Sequence, residues 1–229
     1  MNVRILFRRS RLMVLGLLTI AVISGISWGI ENSFQITHIE VRGSGVSLEI
    51  QEERFPDNLL FFPSSSISED ILKDNPLLES VSIQKKFPHT LIITATERRP
   101  IARLVGVKQR LLLSDNGIVL GDSFAPSGLP DLLFDLPPVG IGEQISDRNI
   151  RLALTFLSLL SHETKVDTIS LWEDASLRAT YGKTDILIPQ ISDIKDRAGT
   201  LQTLLSGFRI KGTMPARIDL RFDKPVVTF

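Results

Sequence analysis

Hydrophobic positions along this chain recur at two spacings, two residues apart in some stretches and three to four in others. Val81, Ile83 and Phe87 alternate with Ser82, Gln84 and Lys86, which predicts a strand with one apolar and one polar face. Phe87-Pro88-His89-Thr90 supplies a turn in which the proline ring presets φ, and residues 91–96 (LIITAT) form the return strand. Pro100 lacks an amide and limits how far that strand pairs. Upstream, 34–42 reads as a first strand, Gly43-Ser44-Gly45 as a turn, and Val46, Leu48 and Ile50 carry strand periodicity. Pro56 leaves no room there for a long helix, so a short helix or a hairpin arm is expected. Residues 58–63 lead into a helix that Ser68 would cap, with Glu69 and Asp70 in its first turn and Pro76 beyond its end.

The pattern from 101 onward is mostly that of strands. Residues 101–107 and 110–113 are short strands, and Asp115-Asn116-Gly117 is a turn before 118–120. Prolines 130, 137 and 138 mark 127–142 as a surface loop. Residues 145–163 form a helix capped by Ser146 or Asp147, with a wide apolar face through Ile150, Ala153, Leu154, Leu157 and Leu160. Arg148 and Arg151 within it argue for a core helix and against a second membrane span. Three strands come next, at 166–172, 176–181 and 184–189. Ile191, Ile194, Ala198, Leu201, Leu205 and Phe208 then mark a helical stripe that Ser206-Gly207 would end. In the last stretch, 216–229, Ile218, Leu220 and Phe222 alternate with Arg217, Asp219 and Arg221, and Pro225 confines that strand to an edge or a bulge.

One run breaks both spacings. Residues 12–30 contain no charge, and a helix of that length spans about 28 Å, close to a bilayer's hydrocarbon core. Arg4, Arg8, Arg9 and Arg11 precede it and Glu31 comes after it, so the N-terminus is expected in the cytoplasm and Trp28 at the interface. A cleaved signal peptide is the competing reading, and Ser27-Trp28-Gly29-Ile30 fits its small-x-small site poorly. The 229 residues hold 26 basic and 26 acidic side chains, but removing the four leading arginines leaves 22 − 26 = −4. A body of that charge is not expected to bind nucleic acid. There is no cysteine, hence neither a thiol nucleophile nor a thiolate metal site.

No constellation for catalysis, cofactor or metal binding emerges. Ser82 and Lys85 form an S-x-x-K string, but residues i and i+3 of a strand point to opposite faces, and the S-D-N and K-T-G companions are missing. His38, His89 and His162 lack metal-ligand spacing. Lys85, Lys86, Arg98 and Arg99 read as a solvated basic face, with attraction to anionic headgroups or to an acidic partner as the functional alternative. The expectation is a binding protein with no small-molecule substrate.

The hairpin and the last strand carry a family resemblance. Val81, Ile83, Lys85, Phe87, Pro88, Thr90, Leu91 and Ile93, then Glu97, Arg98, Pro100, Ile101 and Ala102, resemble the closing hairpin of the POTRA domain in FtsQ/DivIB bacterial division proteins. Ile218 to Phe222 (IDLRF) resemble that family's terminal strand. The resemblance implies an α+β fold: one transmembrane helix, a small POTRA domain of helix on a short sheet, and a mostly antiparallel β domain with two helices. The corresponding boundaries are a basic tail at 1–11, the span at 12–30, the POTRA domain at 34–99 and the β domain at 100–229.

It further implies a noncatalytic, single-pass scaffold of the bacterial inner membrane, its domains extracytoplasmic and enriched at the septum. FtsB/FtsL-like proteins and the septal synthase complex are the implied partners. An edge strand can be extended by another chain's strand, whereas an alternating Arg/Asp face and a proline are also the usual protection of an edge. The resemblance favours capture through Arg217, Ile218, Asp219, Leu220, Arg221, Phe222, Val226 and Phe229. Phe222→Lys or a proline at Leu220 is then expected to disrupt it. Alternation points Phe222 inward, and a bulge at 223–225 would turn it out. The alternative function is a POTRA-type chaperone or transport component that binds clients by the same pairing.

Overall fold

The computed structural model describes residues 16–26, 28–29, 32–43, 55–122, 128–161, 164–173, 176–190 and 194–229. Residues 16–26 and 28–29 are helical, and no helix among the described residues is long and apolar enough to cross a membrane. The span expected over 12–30 lies partly outside the described residues, as do the strand periodicity at 46–50, His162 and part of the 43–45 turn. From His38 onward the fold is α+β, and the chain divides into two compact units.

In the first unit, β1 (His38–Arg42) pairs in parallel with β3 (Thr90–Glu97), and β2 (Leu78–Lys86) pairs antiparallel with β3 on its other side. A turn at 87–89 joins β2 to β3. Helix α1 (Ser64–Asp74) buries Ile71 against Leu78 and Ala95, while Leu59 and Phe62 pack with Leu91 and Ile93. The helix begins a turn earlier than expected. Ile67 N–H donates to Pro63 O at 3.1 Å, so Ser68 lies inside the helix, its hydroxyl donating to Ser65 O at 2.8 Å. Glu69 and Asp70 therefore fall outside the first turn, which holds no acid. Pro63 has no amide to satisfy and tolerates the position before a helix, whereas nothing in 64–67 opposes helix.

The second unit is built on one nine-stranded mixed sheet of order β12-β11-β10-β9-β8-β7-β4-β5-β6. Its strands are β4 (Ala102–Val105), β5 (Arg110–Leu113), β6 (Val119–Asp122), β7 (Asp131–Leu133), β8 (Thr168–Trp172), β9 (Ser176–Tyr181), β10 (Thr184–Pro189), β11 (Arg217–Asp219) and β12 (Val226–Thr228). Five of the eight pairings are antiparallel; β4–β7, β7–β8 and β10–β11 are parallel. The stretch expected to be a surface loop thus contributes a central strand, with Leu132 fully buried. Parallel partners come from sequence-distant segments, so three residues beside a proline carry no local sign of it.

Along one face of this sheet run Leu111, Leu104, Leu132, Ile169, Ala179, Ile186 and Ile218, paired strand to strand. They pack with the buried residues of α2 (Arg148–Leu159) and α3 (Ile194–Lys211) in a single core. Asp147 caps α2, its carboxylate accepting from Asn149 N–H and Ile150 N–H at 2.9 and 3.0 Å. Helix α3 runs past Gly207, where an end was expected, to Gly212, whose φ of 67° is left-handed. There Gly212 N–H donates to Arg209 O and Thr213 N–H to Phe208 O, the two bonds of a Schellman cap.

Candidate functional site: the terminal edge

The opposite face of the nine-stranded sheet carries ion pairs. Arg103 meets both carboxylate oxygens of Asp131 at 2.7 and 2.9 Å, Arg178 holds Asp185 in the same way, and Thr168 and Thr180 bond hydroxyl to hydroxyl at 2.8 Å. Asp131 raises the Arg103 pKa through that hydrogen bond, against desolvation. Such mutually satisfied pairs leave little for a ligand to recognise. The sheet's two ends differ from this face and from each other.

At the β6 end, Val119 N–H donates to Glu143 O at 3.0 Å, Gly142 N–H to Val119 O at 2.8 Å and Ile145 N–H to Gly117 O at 2.9 Å. Residues 142–145 thereby cover the start of that edge, from Gly117 to Val119. At the other end β12 is outermost, and among the described residues no strand lies beyond it.

This corrects the expectation that Ile218 to Phe222 form the edge. Strand β11 stops at Asp219 and is flanked on both sides, parallel to β10 and antiparallel to β12. Residues 221–224 bend, and Pro225 starts the return that lays Val226 opposite Asp219, Val227 opposite Ile218 and Thr228 opposite Arg217. Asp185 N–H donates to Ala216 O and Leu220 N–H to Leu187 O, so even-numbered residues of β11 address β10 and odd-numbered ones address β12. Within β12, Val226 and Thr228 answer Asp219 and Arg217. Alternation then turns the Val227 N–H and C=O outward. Val227 escapes sequence reasoning because its side chain gives no reason to single it out.

The side chains expected to bind a partner have different fates. Ile218 and Leu220 are fully buried in the core, so their side chains are out of a partner's reach. Asp219 is nearly buried beneath Arg221, which donates to it from its backbone N–H at 3.0 Å, Nε at 3.0 Å and Nη2 at 2.8 Å. Burial pushes the Asp219 carboxyl up, but hydrogen bonds from Arg221 and the charges of Arg221 and Arg217 outweigh it and hold the group below its usual value. Arg221 also reaches Glu173 at 3.3 Å. Arg217 lies at the surface 3.9 Å from Asp185.

Three apolar side chains stand out to solvent: Phe222 is 54% exposed, Val226 51% and Phe229 71%. Phe222 faces outward because regular pairing ends before it; its carbonyl accepts from Arg197 Nη1 of α3 at 2.6 Å, which fixes the bend. Phe229 packs edge-on against Phe208 of α3, ring centroids 5.8 Å apart. Phe208 reads in the sequence only as part of a helical stripe, and Arg197 is not singled out there at all.

The other candidates do not assemble. Ser82 pairs with Thr94, while Lys85 Nζ donates to Leu60 O at 3.1 Å, so they share no site. His89 Nδ1 lies 3.1 Å from Gln35 O, His38 is exposed, and no cluster of metal-ligating side chains exists among the described residues.

Residues 34–98, the first unit's sheet and helix, match the POTRA domain of FtsQ type. A small POTRA module with a larger mixed sheet after it, ending in an open terminal strand, is therefore the class to which the architecture points. Over 176 residues the chain is 23% identical to the cell division protein DivIB of Clostridium acetobutylicum, covering 72% of this chain and 70% of that protein. The chain thus resembles the FtsQ/DivIB division proteins and carries their type of POTRA domain.

Proposed function

We propose that this protein is a noncatalytic scaffold of the bacterial divisome, anchored in the cell membrane by residues 12–30, that captures a partner polypeptide by strand addition at β12. The observation that carries the reading is the outer side of Val226–Thr228, which no strand among the described residues pairs and which exposed Phe222, Val226 and Phe229 flank. An edge of this kind supplies main-chain hydrogen bonds for affinity, and its flanking side chains supply selectivity. Binding by this route needs no catalytic group, cofactor or metal. The role in division is supported by the likeness to DivIB and to FtsQ-type POTRA domains.

In this reading residues 1–11 are a cytoplasmic tail, 34–99 the POTRA domain and 100–229 the partner-binding β domain. Both domains lie outside the cytoplasm at the septum, where FtsB/FtsL-like proteins connect them to the septal synthase complex. The test places a photo-crosslinking residue at Phe229 in growing cells, with exposed Lys108 as control. Specific capture of a small single-pass division protein at 229, absent at 108, is the expected result. Capture of varied outer-membrane clients would favour a chaperone, and equal capture at both positions would remove the edge from consideration.

A further inference from the structure

One end of the POTRA unit gathers features that the edge at β12 does not use. Phe61 is 70% exposed and Phe87 53% exposed, each at the tip of a turn. Both turns are tied to the residues by which the chain enters the domain. Leu59 N–H donates to Phe34 O at 2.7 Å and Ile36 N–H to Asp57 O at 2.8 Å, while Thr37 N–H donates to His89 O at 3.0 Å. The Phe87 ring packs edge-on against Phe34, centroids 5.8 Å apart. Lys85 is anchored to Leu60 O, and Lys86 beside it is exposed. Among the described residues, Glu40 is paired with Arg42 at 2.7 Å, and Asp57 lies on the adjoining turn.

Reach decides what these groups face. Phe34 lies four positions beyond Ile30, the end of the apolar run, and four extended steps cover at most about 14 Å. If 12–30 spans the bilayer, Phe34 and the two turns bonded to it stay beside the headgroup layer. Phenylalanine rings buried at the headgroup–acyl boundary, with lysine beside them attracted to anionic lipid, are the pattern of interfacial binding.

We propose that the 57–61 and 87–89 turns of the POTRA unit rest on the outer surface of the membrane, Phe61 and Phe87 entering the headgroup region and Lys86 facing anionic lipid. The inference rests on the anchored reading of residues 12–30 and adds that the domain is held by two contacts, a span and a docked tip. Such a contact would fix how the POTRA unit stands on the bilayer.

The chain has no cysteine, so single labelling sites can be introduced cleanly. The full-length protein is reconstituted in vesicles containing phosphatidylglycerol, with an environment-sensitive fluorophore at Ile20→Cys, Phe61→Cys, Phe87→Cys or Glu79→Cys, the last at the far end of β2. Brominated lipids then report depth. The expected result is quenching by deep bromines at 20, loss of emission to shallow bromines at 61 and 87, and none at 79. Adding Lys86→Glu should restore part of the emission at 61 and 87 in anionic vesicles but not alter position 20. Quenching at 20 with bright labels at 61 and 87 overturns the docked tip while leaving the anchor intact. Bright labels at 20, 61 and 87 overturn the anchor and the docking with it.

Discussion

Asp219 shows how a single side chain serves the terminal edge. Its carboxylate is nearly buried, which opposes ionisation, yet three donors from Arg221 and the nearby Arg217 charge prevail and lower its pKa. Because the folded-state value is depressed, the pair stabilises the fold above the ordinary carboxylate range. That contribution is lost as pH falls through the lowered value, beneath about pH 4. Asp219→Asn keeps an acceptor for the Arg221 amide but removes the charge, and should cost about 1–3 kcal/mol at neutral pH. Urea unfolding of protein and variant should give curves that approach each other as the solution is acidified below about pH 4. A gap unchanged by acid would mean that Asp219 acts through packing alone. Nothing in the IDLRF string announces this pair; alternation puts Asp219 and Arg221 on one face, but only the end of pairing at Asp219 lets the arginine fold back over it.

The elements divide into those written locally and those written by distant partners. Strands β9 and β10 fall where alternation puts them, and so does the β2–β3 hairpin, because each is paired through a short turn with its neighbour in sequence. The apolar stripe of α3 is legible for the same reason, although Gly207 suggests an end that the cap at Gly212 overrides; one glycine within a helix costs only about 1 kcal/mol. Strand β7 is the opposite case. Its place between β4 and β8 depends on parallel partners far away in the chain, so the prolines around Leu132 read locally as loop. Leu132→Ala should cost about 2–5 kcal/mol, as for a fully buried leucine. Leu133→Ala on the neighbouring, partly exposed position should cost much less. Chemical denaturation that ranks the two equally would argue that β7 is not the ordered centre of the sheet. The candidate site is half legible on the same grounds: its aromatics are visible as residues, but which strand forms the edge depends on a return after Pro225 that alternation does not predict.

At the scale of the whole β unit, what matters is that a nine-stranded sheet has two ends that are covered unequally among the described residues. Residues 142–145 bond the start of β6 at Gly117 and Val119, whereas among the described residues no strand covers β12, which its shortness and Pro225 protect. A strand arriving there finds the outward N–H and C=O of Val227 between Phe222, Val226 and Phe229. A proline at Leu220 cannot probe this edge, since the Leu220 amide bonds Leu187 inside the sheet. Val227→Pro can, because it deletes an outward donor while the bonds joining β12 to β11 run through Val226 and Thr228. Leaving one acceptor of the incoming strand unpaired should weaken partner binding about tenfold or more. The domain itself should lose no more than about 1–2 kcal/mol, mostly from trimming a half-buried side chain. Val227→Ala removes most of the same side chain and keeps the amide, so it should retain most of the affinity for the protein captured at Phe229. If the two variants bind that partner equally well or equally badly, the backbone of β12 is not what the partner reads, and the exposed aromatics alone would have to account for recognition.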